Sequence, residues 1–208
     1  MLPNSLKNLI ECFKFLPGIG GKTAERLAFS MLDFDKDNLT MFSNAIIDLR
    51  DNIRKCDVCG NISDSSLCSI CSNSDRDSSV IFVVEKAKDI FLFEKLGVYN
   101  GIYHVLDGLI NPLDGIGPDD IELSSLIKRI ENGSVREVIL ALKPSIEGET
   151  TMQYISKVLE DSSVKVSKIA TGVPIGTDME YIDSLTLELA IDERKSMNWF
   201  RSHIIYWW

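Results

Sequence analysis

Long apolar runs are missing from this 208-residue sequence, and its N-terminus lacks the uninterrupted apolar core of a signal peptide. Since a membrane-spanning helix needs about 20 apolar residues, we expect no membrane segment and a cytoplasmic location. Histidine is also scarce. His104 lies in a predicted strand and His203 in the C-terminal tail, and both are predicted to be structural. No grouping of serine, cysteine and histidine indicates nucleophilic catalysis, so no catalytic residue is assigned.

Basic residues are outnumbered, and their distribution is uneven. The chain has 22 Lys and Arg against 31 Asp and Glu, a net charge of −9, which argues against nucleic acid as a partner of the whole surface. Residues 1–55, however, hold 8 basic and 7 acidic residues, a net charge of +1, so the net negative charge of the chain comes entirely from residues 56–208. Any contact with nucleic acid is therefore expected in the N-terminal part.

Apolar periodicity divides the chain into a helical part and an α/β part. Three amphipathic helices are predicted before the cysteine-rich segment, at 3–15, 22–32 and 39–54. A polar stretch at 72–79 is predicted to be a linker. From residue 80 onward, strands alternate with helices, which predicts an α/β domain with a mostly parallel sheet. The strands are predicted at 80–84, 102–106, 137–142 and 164–170, and the helices at 87–96, 121–130, 150–159 and 178–193.

Four of the five cysteines form two C-x2-C pairs, Cys56 with Cys59 and Cys68 with Cys71. This spacing is typical of a tetrahedral zinc site with four thiolate ligands. Because all four positions are filled by protein, the zinc is predicted to be structural and to supply much of the stability of this segment. The alternative is a set of redox-active or free thiols. Cys12 lies beside the apolar face of the first helix and is predicted to be a small core residue.

A glycine-rich turn joins the first two predicted helices, within the stretch 16–27, LPGIGGKTAERL. Its Gly18 and Gly20 would allow backbone N–H groups and the start of the second helix to bind a phosphate. Lys22 and Arg26, four residues apart, would add positive charge on one face. The pattern predicts a helix-hairpin-helix unit that binds the DNA backbone without regard to sequence. A phosphate-binding P-loop is excluded because its spacing and preceding strand are missing, and a plain turn between core helices is the alternative.

Acidic residues follow two of the predicted strands. Glu85 ends the first strand, while Glu147 and Glu149 follow the strand that ends at Leu142. Acidic groups at strand ends often reach a ligand crevice, so Glu85 and Glu147 would bind Mg²⁺ together, and a solvated acidic loop that docks a basic partner is the alternative. The loop 106–118 is rich in glycine and proline, and a loop of that length is usually functional.

Taken in order, these features resemble the bacterial RecR family of recombination mediators over nearly the whole chain. The matching stretches are LPGIGGKTAERLAF, the four-cysteine cluster, YHVLDGLINPLDGIGPDDI, IEGETT and GVPIGTDMEYIDSLTL. The resemblance implies a helix-hairpin-helix domain at 1–54, a zinc-finger domain and linker at 55–79, a Toprim domain at 80–174 and a C-terminal oligomerisation segment at 175–208.

The resemblance also implies a function. Proteins of this family form ring-like dimers or tetramers that encircle DNA and, with RecO and in some settings RecF, load RecA on single-stranded DNA coated by single-strand-binding protein. It assigns DNA contact to Lys22 and Arg26, and zinc ligation to the four clustered cysteines. Glu85 and Glu147 correspond to acidic Toprim positions that, in this family, suit partner docking better than chemistry.

The sequence differs from Toprim enzymes and from the RecR family at two places, residues 143–145 and the C-terminal end. Toprim topoisomerases have an Asp-x-Asp pair where this chain has Lys143 and Ser145, which removes charge that would hold catalytic Mg²⁺. We therefore predict that the chain is not an enzyme. The family itself usually has Asn-Pro-Thr at 143–145, and the terminal SHIIYWW matches nothing typical of it. The rival hypotheses are a metal-dependent Toprim nuclease or topoisomerase-like enzyme and a zinc-dependent interaction module that barely touches DNA.

Overall fold

A computed structural model describes residues 2–131 and 133–194, apart from the side chain of Leu185. The chain divides into two compact units, and the division falls after Arg54. None of the helices in the described part is both long and apolar enough to cross a membrane.

The first unit consists of three helices, α1 (Asn4–Lys14), α2 (Gly21–Ser30) and α3 (Lys36–Asn52), with a 3-10 turn at Met31–Asp33. Its core is the contact between α1 and α2. Leu6, Ile10 and Phe13 recur at helical spacing on α1 and pack against the fully buried Ala24 and Ala28 of α2. The two alanines let the helices approach closely, which brings the ends of the connecting hairpin together.

Cys12 is exposed, so its predicted place in the core is wrong. The buried face of α1 uses Leu6, Ile10 and Phe13. Successive helical residues are rotated by about 100°, so Cys12 lies well away from both Ile10 and Phe13 on the helix surface.

The α/β fold of the second unit follows two short paired strands, β1 (Arg54–Lys55) and β2 (Ile62–Ser63). Four parallel strands form a sheet in the order β4-β3-β5-β6. The strands are β3 (Asp77–Val84), β4 (Gly101–Val105), β5 (Glu137–Ala141) and β6 (Lys165–Lys168). The helices are α4 (Ala87–Leu96), α5 (Leu123–Glu131), α6 (Ile146–Val158) and α7 (Ser184–Asp192). The α/β class and the parallel sheet predicted from the alternation are confirmed.

Both faces of this sheet are buried, which explains why its strands read as short apolar runs. Alternate residues of β3 enter two different clusters. Ile81 and Val83 pack with apolar residues of α5 and α6 on one face. Phe82 and Val84 pack on the other face with Ile90 of α4 and with cysteines 56, 59 and 68. The cysteine module is therefore part of the core of the second unit.

Helix α6 begins at Ile146, four residues before the predicted start. Ser145 caps it, since its Oγ accepts a hydrogen bond of 3.2 Å from the Gly148 N–H. Glu147 and Glu149 accordingly lie in the first helical turn, and the expectation of an acidic loop is wrong. The sequence pattern missed this start because the apolar periodicity begins only after the cap.

The predicted helix at 178–193 is interrupted. It consists of a 3-10 turn at Met179–Tyr181 and α7, separated by Ile182 and Asp183. The Asp183 carboxylate accepts a hydrogen bond of 2.9 Å from the Thr186 N–H. An N-cap of this kind starts a new helix. Residues 195–208, including His203 and the aromatic tail, lie outside the described residues.

Candidate zinc centre, nucleic-acid hairpin and acidic sheet edge

The four clustered cysteines converge on one point. Their sulfur atoms all lie within 4.8 Å of one another, and Cys59 Sγ is 3.6 Å from Cys68 Sγ. Zn–S bonds of about 2.3 Å in a tetrahedron place sulfurs about 3.8 Å apart. Three of the four residues are buried and Cys71 is partly exposed. The donor set and its spacing therefore fit a closed four-thiolate zinc site.

The two C-x2-C turns have the same backbone design. Gly60 N–H donates to Cys56 O, and Ser72 N–H donates to Cys68 O, both at 3.0 Å. Amides also point at sulfur: Cys68 N–H lies 3.4 Å from Cys56 Sγ, and Cys71 N–H lies 3.5 Å from Cys68 Sγ. Amide donors stabilise thiolates, so each turn is prepared to hold the charged form that a metal requires.

The thiols differ in their tendency to ionise. Burial raises the pKa of Cys56, but backbone hydrogen bonds from Cys68, Cys59 and Val58 outweigh burial and lower the pKa to about 7. The neighbouring Cys71 thiol and burial raise the pKa of Cys59, and burial likewise raises the pKa of Cys68. Crowded thiols resist joint ionisation unless a cation lies among them, which is what zinc supplies when bound.

The hairpin between α1 and α2 is built on glycine. Gly18 has a φ of +82°, in the left-handed region that favours glycine. Gly20 precedes α2 as its N-cap with an ordinary φ of −83°, and no side chain of the described residues caps this helix start. In that same part of the chain, no atom lies within 4 Å of a Cβ added at Gly18 or Gly20. The hairpin therefore presents open backbone at the start of a helix, where phosphates bind well.

Basic side chains surround this hairpin. Lys22 and Arg26 are exposed and, four residues apart on α2, lie on one face of it. Lys14 approaches from α1, because its Cε would lie 4.0 Å from a Cβ added at Gly21. Its ammonium group forms an exposed ion pair of 2.7 Å with Glu11. Lys14 was not singled out from the sequence, since only the close approach of the two helices brings it to the hairpin.

The carboxyl edge of the sheet mixes acidic and basic groups. Glu85 follows β3, Asp107 follows β4, and Lys143 follows β5. Asp107 has a φ of +59° and is bound by two cations: Lys55 Nζ lies 2.6 Å from its Oδ2, and Lys86 Nζ lies 3.3 Å from its Oδ1. Hydrogen bonding to Lys55 holds the pKa of Asp107 below its usual range. Sequence reasoning missed Asp107 as a site residue, although its position directly after a strand matched that of Glu85.

The two acidic residues of α6 differ in their surroundings. A hydrogen bond with the Ser145 side chain lowers the pKa of Glu147. Glu149 lies 3.8 Å from Lys168 Nζ, and Lys168 forms a shorter ion pair of 2.5 Å with Glu193. Within the described residues, the only group of three or more side chains whose potential metal-ligating atoms lie so close together is the cysteine cluster. The described carboxylates at the carboxyl edge of the sheet therefore do not form a second group that could hold a metal ion.

Family models match four consecutive parts of the chain. Residues 6–50 match the helix-hairpin-helix model of RecR, and residues 53–73 match the RecR zinc-finger domain with four cysteines. Residues 79–170 match the Toprim domain, and residues 172–195 match the C-terminal model of RecR. With the geometry above, these matches define a protein that joins a helix-hairpin-helix unit, a four-cysteine zinc finger and a Toprim domain.

The chain belongs to the RecR family and is a RecR-type DNA-repair protein. The predicted structural zinc is consistent with both its zinc-finger match and its cysteine cluster. Its RecR-type domains support DNA binding and oligomerisation.

Proposed function

We propose that this protein is a non-enzymatic recombination mediator. It binds DNA as a ring-like dimer or tetramer and, with RecO and RecF, promotes loading of RecA on single-stranded DNA coated by single-strand-binding protein. The observation that carries the DNA-binding part is the open backbone of the hairpin. The zinc finger, on this proposal, serves the architecture and not the chemistry.

The glycine at position 20 supports a phosphate-binding role for the hairpin, because neither its backbone conformation nor its packing against the described residues requires glycine there. Its φ of −83° suits any residue, and the space around it would accommodate a Cβ. A Cβ there would instead obstruct a ligand that approaches the backbone N–H groups of the α2 start. Lys22 and Arg26 then supply charge for a sequence-independent contact.

The surface of α3 supports oligomerisation. None of its residues is buried, yet large apolar side chains occur around much of its length. The exposed ones are Leu39, Met41, Phe42, Ile46, Ile47 and Leu49. An exposed apolar surface of this kind marks an interaction site, and several linked subunits would multiply weak DNA contacts through effective concentration.

The carboxyl edge of the sheet supports docking of a basic partner. Glu85, Glu147 and Glu149 are partly exposed carboxylates at or near this edge. Glu149 lies 3.8 Å from Lys168 Nζ, and the positive charge of Lys143 acts on Glu147. We expect the three carboxylates together to attract a basic partner such as RecO, since complementary charge steers association and selects partners.

A metal-dependent Toprim enzyme is the second candidate, and the Toprim match with Glu85 at a strand end favours it. Catalysis by Mg²⁺ needs several carboxylates around the ion. Lys143 and Ser145 stand where Toprim topoisomerases have acidic residues, and Lys55 and Lys86 already bind Asp107. These cations weaken the case for a catalytic metal.

The deciding experiment is a native gel of the purified protein with labelled gapped DNA and Mg²⁺, with and without RecO. We expect a shift that disappears at raised salt, a larger shift with RecO, and intact DNA. Cleaved or relaxed DNA that is abolished by Glu85→Gln would establish the enzyme instead. Gly20→Ala provides the matched variant: we expect it to fold normally and to lose the shift, whereas unchanged binding would remove the hairpin from the interface.

A further inference from the structure

One of the two edge strands of the Toprim sheet has an unusual cover. Within the described residues, β4 pairs with β3 alone and so forms one edge of the sheet. An exposed edge strand offers unpaired N–H and C=O groups to any other strand. The sequence of β4, Gly-Ile-Tyr-His-Val, is rich in strand-forming residues and contains no Asp, Glu, Lys, Arg or proline. Such a segment is prone to pair with another chain unless it is protected.

The first cysteine turn supplies protection at the end of β4. Val105 N–H donates a hydrogen bond of 2.8 Å to the carbonyl oxygen of Cys59. Gly60 packs against the same residue: an added Cβ would lie 3.3 Å from Val105 Cβ and 3.4 Å from Val105 O. Cys59 and Val105 are both buried in one apolar cluster. The zinc-ligating turn therefore lies beside Val105, at the position where the backbone of a further strand would pair with the end of β4.

Two arginines cover the remainder of the edge. Arg129 Nη1 donates to Tyr103 O at 2.5 Å, and Arg76 Nη1 lies 3.4 Å from Gly101 O. Arg76 is itself held by two hydrogen bonds to the Glu94 carboxylate. Carbonyls at alternate positions of β4 are therefore capped by guanidinium groups, and the cysteine turn caps the amide at its end.

We propose that the four-cysteine module is a metal-dependent guard of the β4 edge, and that loss of zinc frees β4 to pair with a second copy of this chain. The cysteine segment has few apolar residues, so its conformation depends on the metal. The arginine caps are side chains and do not exclude a strand once the backbone turn has left. This inference goes beyond the proposed function and does not depend on DNA binding.

Two glycine variants test the contact without altering a zinc ligand. Gly60 and Gly97 both have positive φ, at +73° and +65°, so alanine strains the backbone similarly at each. Alanine at position 60 would press against Val105, whereas position 97 has open space. Hydrogen exchange would be measured on both proteins, together with zinc content and molar mass by light scattering.

We expect the Gly60→Ala protein to exchange the Val105 amide about tenfold faster than wild type, a change that corresponds to loss of about one hydrogen bond. It should also gain molar mass, and the Gly97→Ala protein should do neither. Equal exchange at Val105 in the two variants would overturn the proposal.

Wild-type protein stripped of zinc by a chelator provides the second test, and it covers the case in which Gly60→Ala fails to fold. The Val105 amide of β4 should lose protection while the amides of the inner strand β5 keep it. Molar mass should rise above that of the zinc-loaded protein, and β4 should regain protection as protein concentration increases. Unchanged exchange at β4, loss of protection in β4 and β5 together, or exposure without association would each overturn the proposal.

Discussion

Neutralising the two hairpin cations is the sharpest test of the DNA interface. The variant Lys22→Gln with Arg26→Gln removes two positive charges from the exposed face of α2 and leaves the buried Ala24 and Ala28 unchanged. Folding should therefore be preserved, because substitutions of exposed residues away from special contacts usually change stability by less than about 0.5 kcal/mol.

The expected size of the effect follows from counterion release. Each phosphate contact contributes about 0.9 to the slope of log affinity against log salt on duplex DNA. Loss of two contacts lowers that slope by about 1.8 per engaged subunit. Between about 50 mM and about 200 mM salt, wild type should therefore lose about twelvefold more affinity per engaged subunit than the variant. In an oligomer the difference grows with the number of subunits that contact the DNA.

Fluorescence anisotropy with a labelled gapped duplex at several salt concentrations measures this slope. The matched control is Lys7→Gln with Lys36→Gln, which removes the same charge from exposed positions on α1 and at the start of α3. The control should keep the wild-type slope. A hairpin variant with an unchanged slope, or a control with an equally reduced one, would refute the assignment of the hairpin as the phosphate-binding surface.

Three further variants test the second unit. Cys59→Ser should reduce zinc binding to below one ion per chain in a colorimetric assay, and chelator-released zinc from wild type should increase as the pH falls, because protons compete for the thiolates. Burial lowers the pKa of His104 to about 4. As the pH falls, His104 becomes protonated in the unfolded chain at a higher pH than in the folded chain. The free energy of unfolding should therefore fall by about 3 kcal/mol between about pH 6.5 and about pH 4. Urea denaturation of His104→Gln should not show this part of the pH dependence. Hydrogen bonding to Arg76 lowers the pKa of Glu94, so this pair stabilises the fold above the ordinary Glu pKa and loses its effect under more acidic conditions. Glu94→Gln should therefore cost about 1–3 kcal/mol at neutral pH in urea denaturation and less at about pH 3; an equal cost at both would contradict the ion-pair explanation.

The sequence predicted an element correctly where one short segment contains all the residues that determine its start and its end. The helix α4 begins and ends at the predicted residues, because a strand, a cap and a glycine stop lie close together along the chain. It failed where burial depends on a neighbour. Cys12 has an apolar neighbour in the sequence, yet α2 packs against another face of α1. The start of α6 depended on one capping serine, which periodicity does not detect.

The sequence by itself determined the zinc ligands' spacing, the glycine hairpin with its two cations, and the alternation that makes a parallel sheet. These features are local: two residues between cysteines, a φ that favours glycine, and apolar runs of strand length. Only the tertiary structure decided which groups meet across long stretches of chain. Asp107 is joined to Lys55 across 52 positions, and the Cys59 carbonyl meets Val105 because the sheet ends at β4. Such contacts depend on how strands order themselves in a sheet, and strand order is set by the packing of the whole core and not by any segment within it.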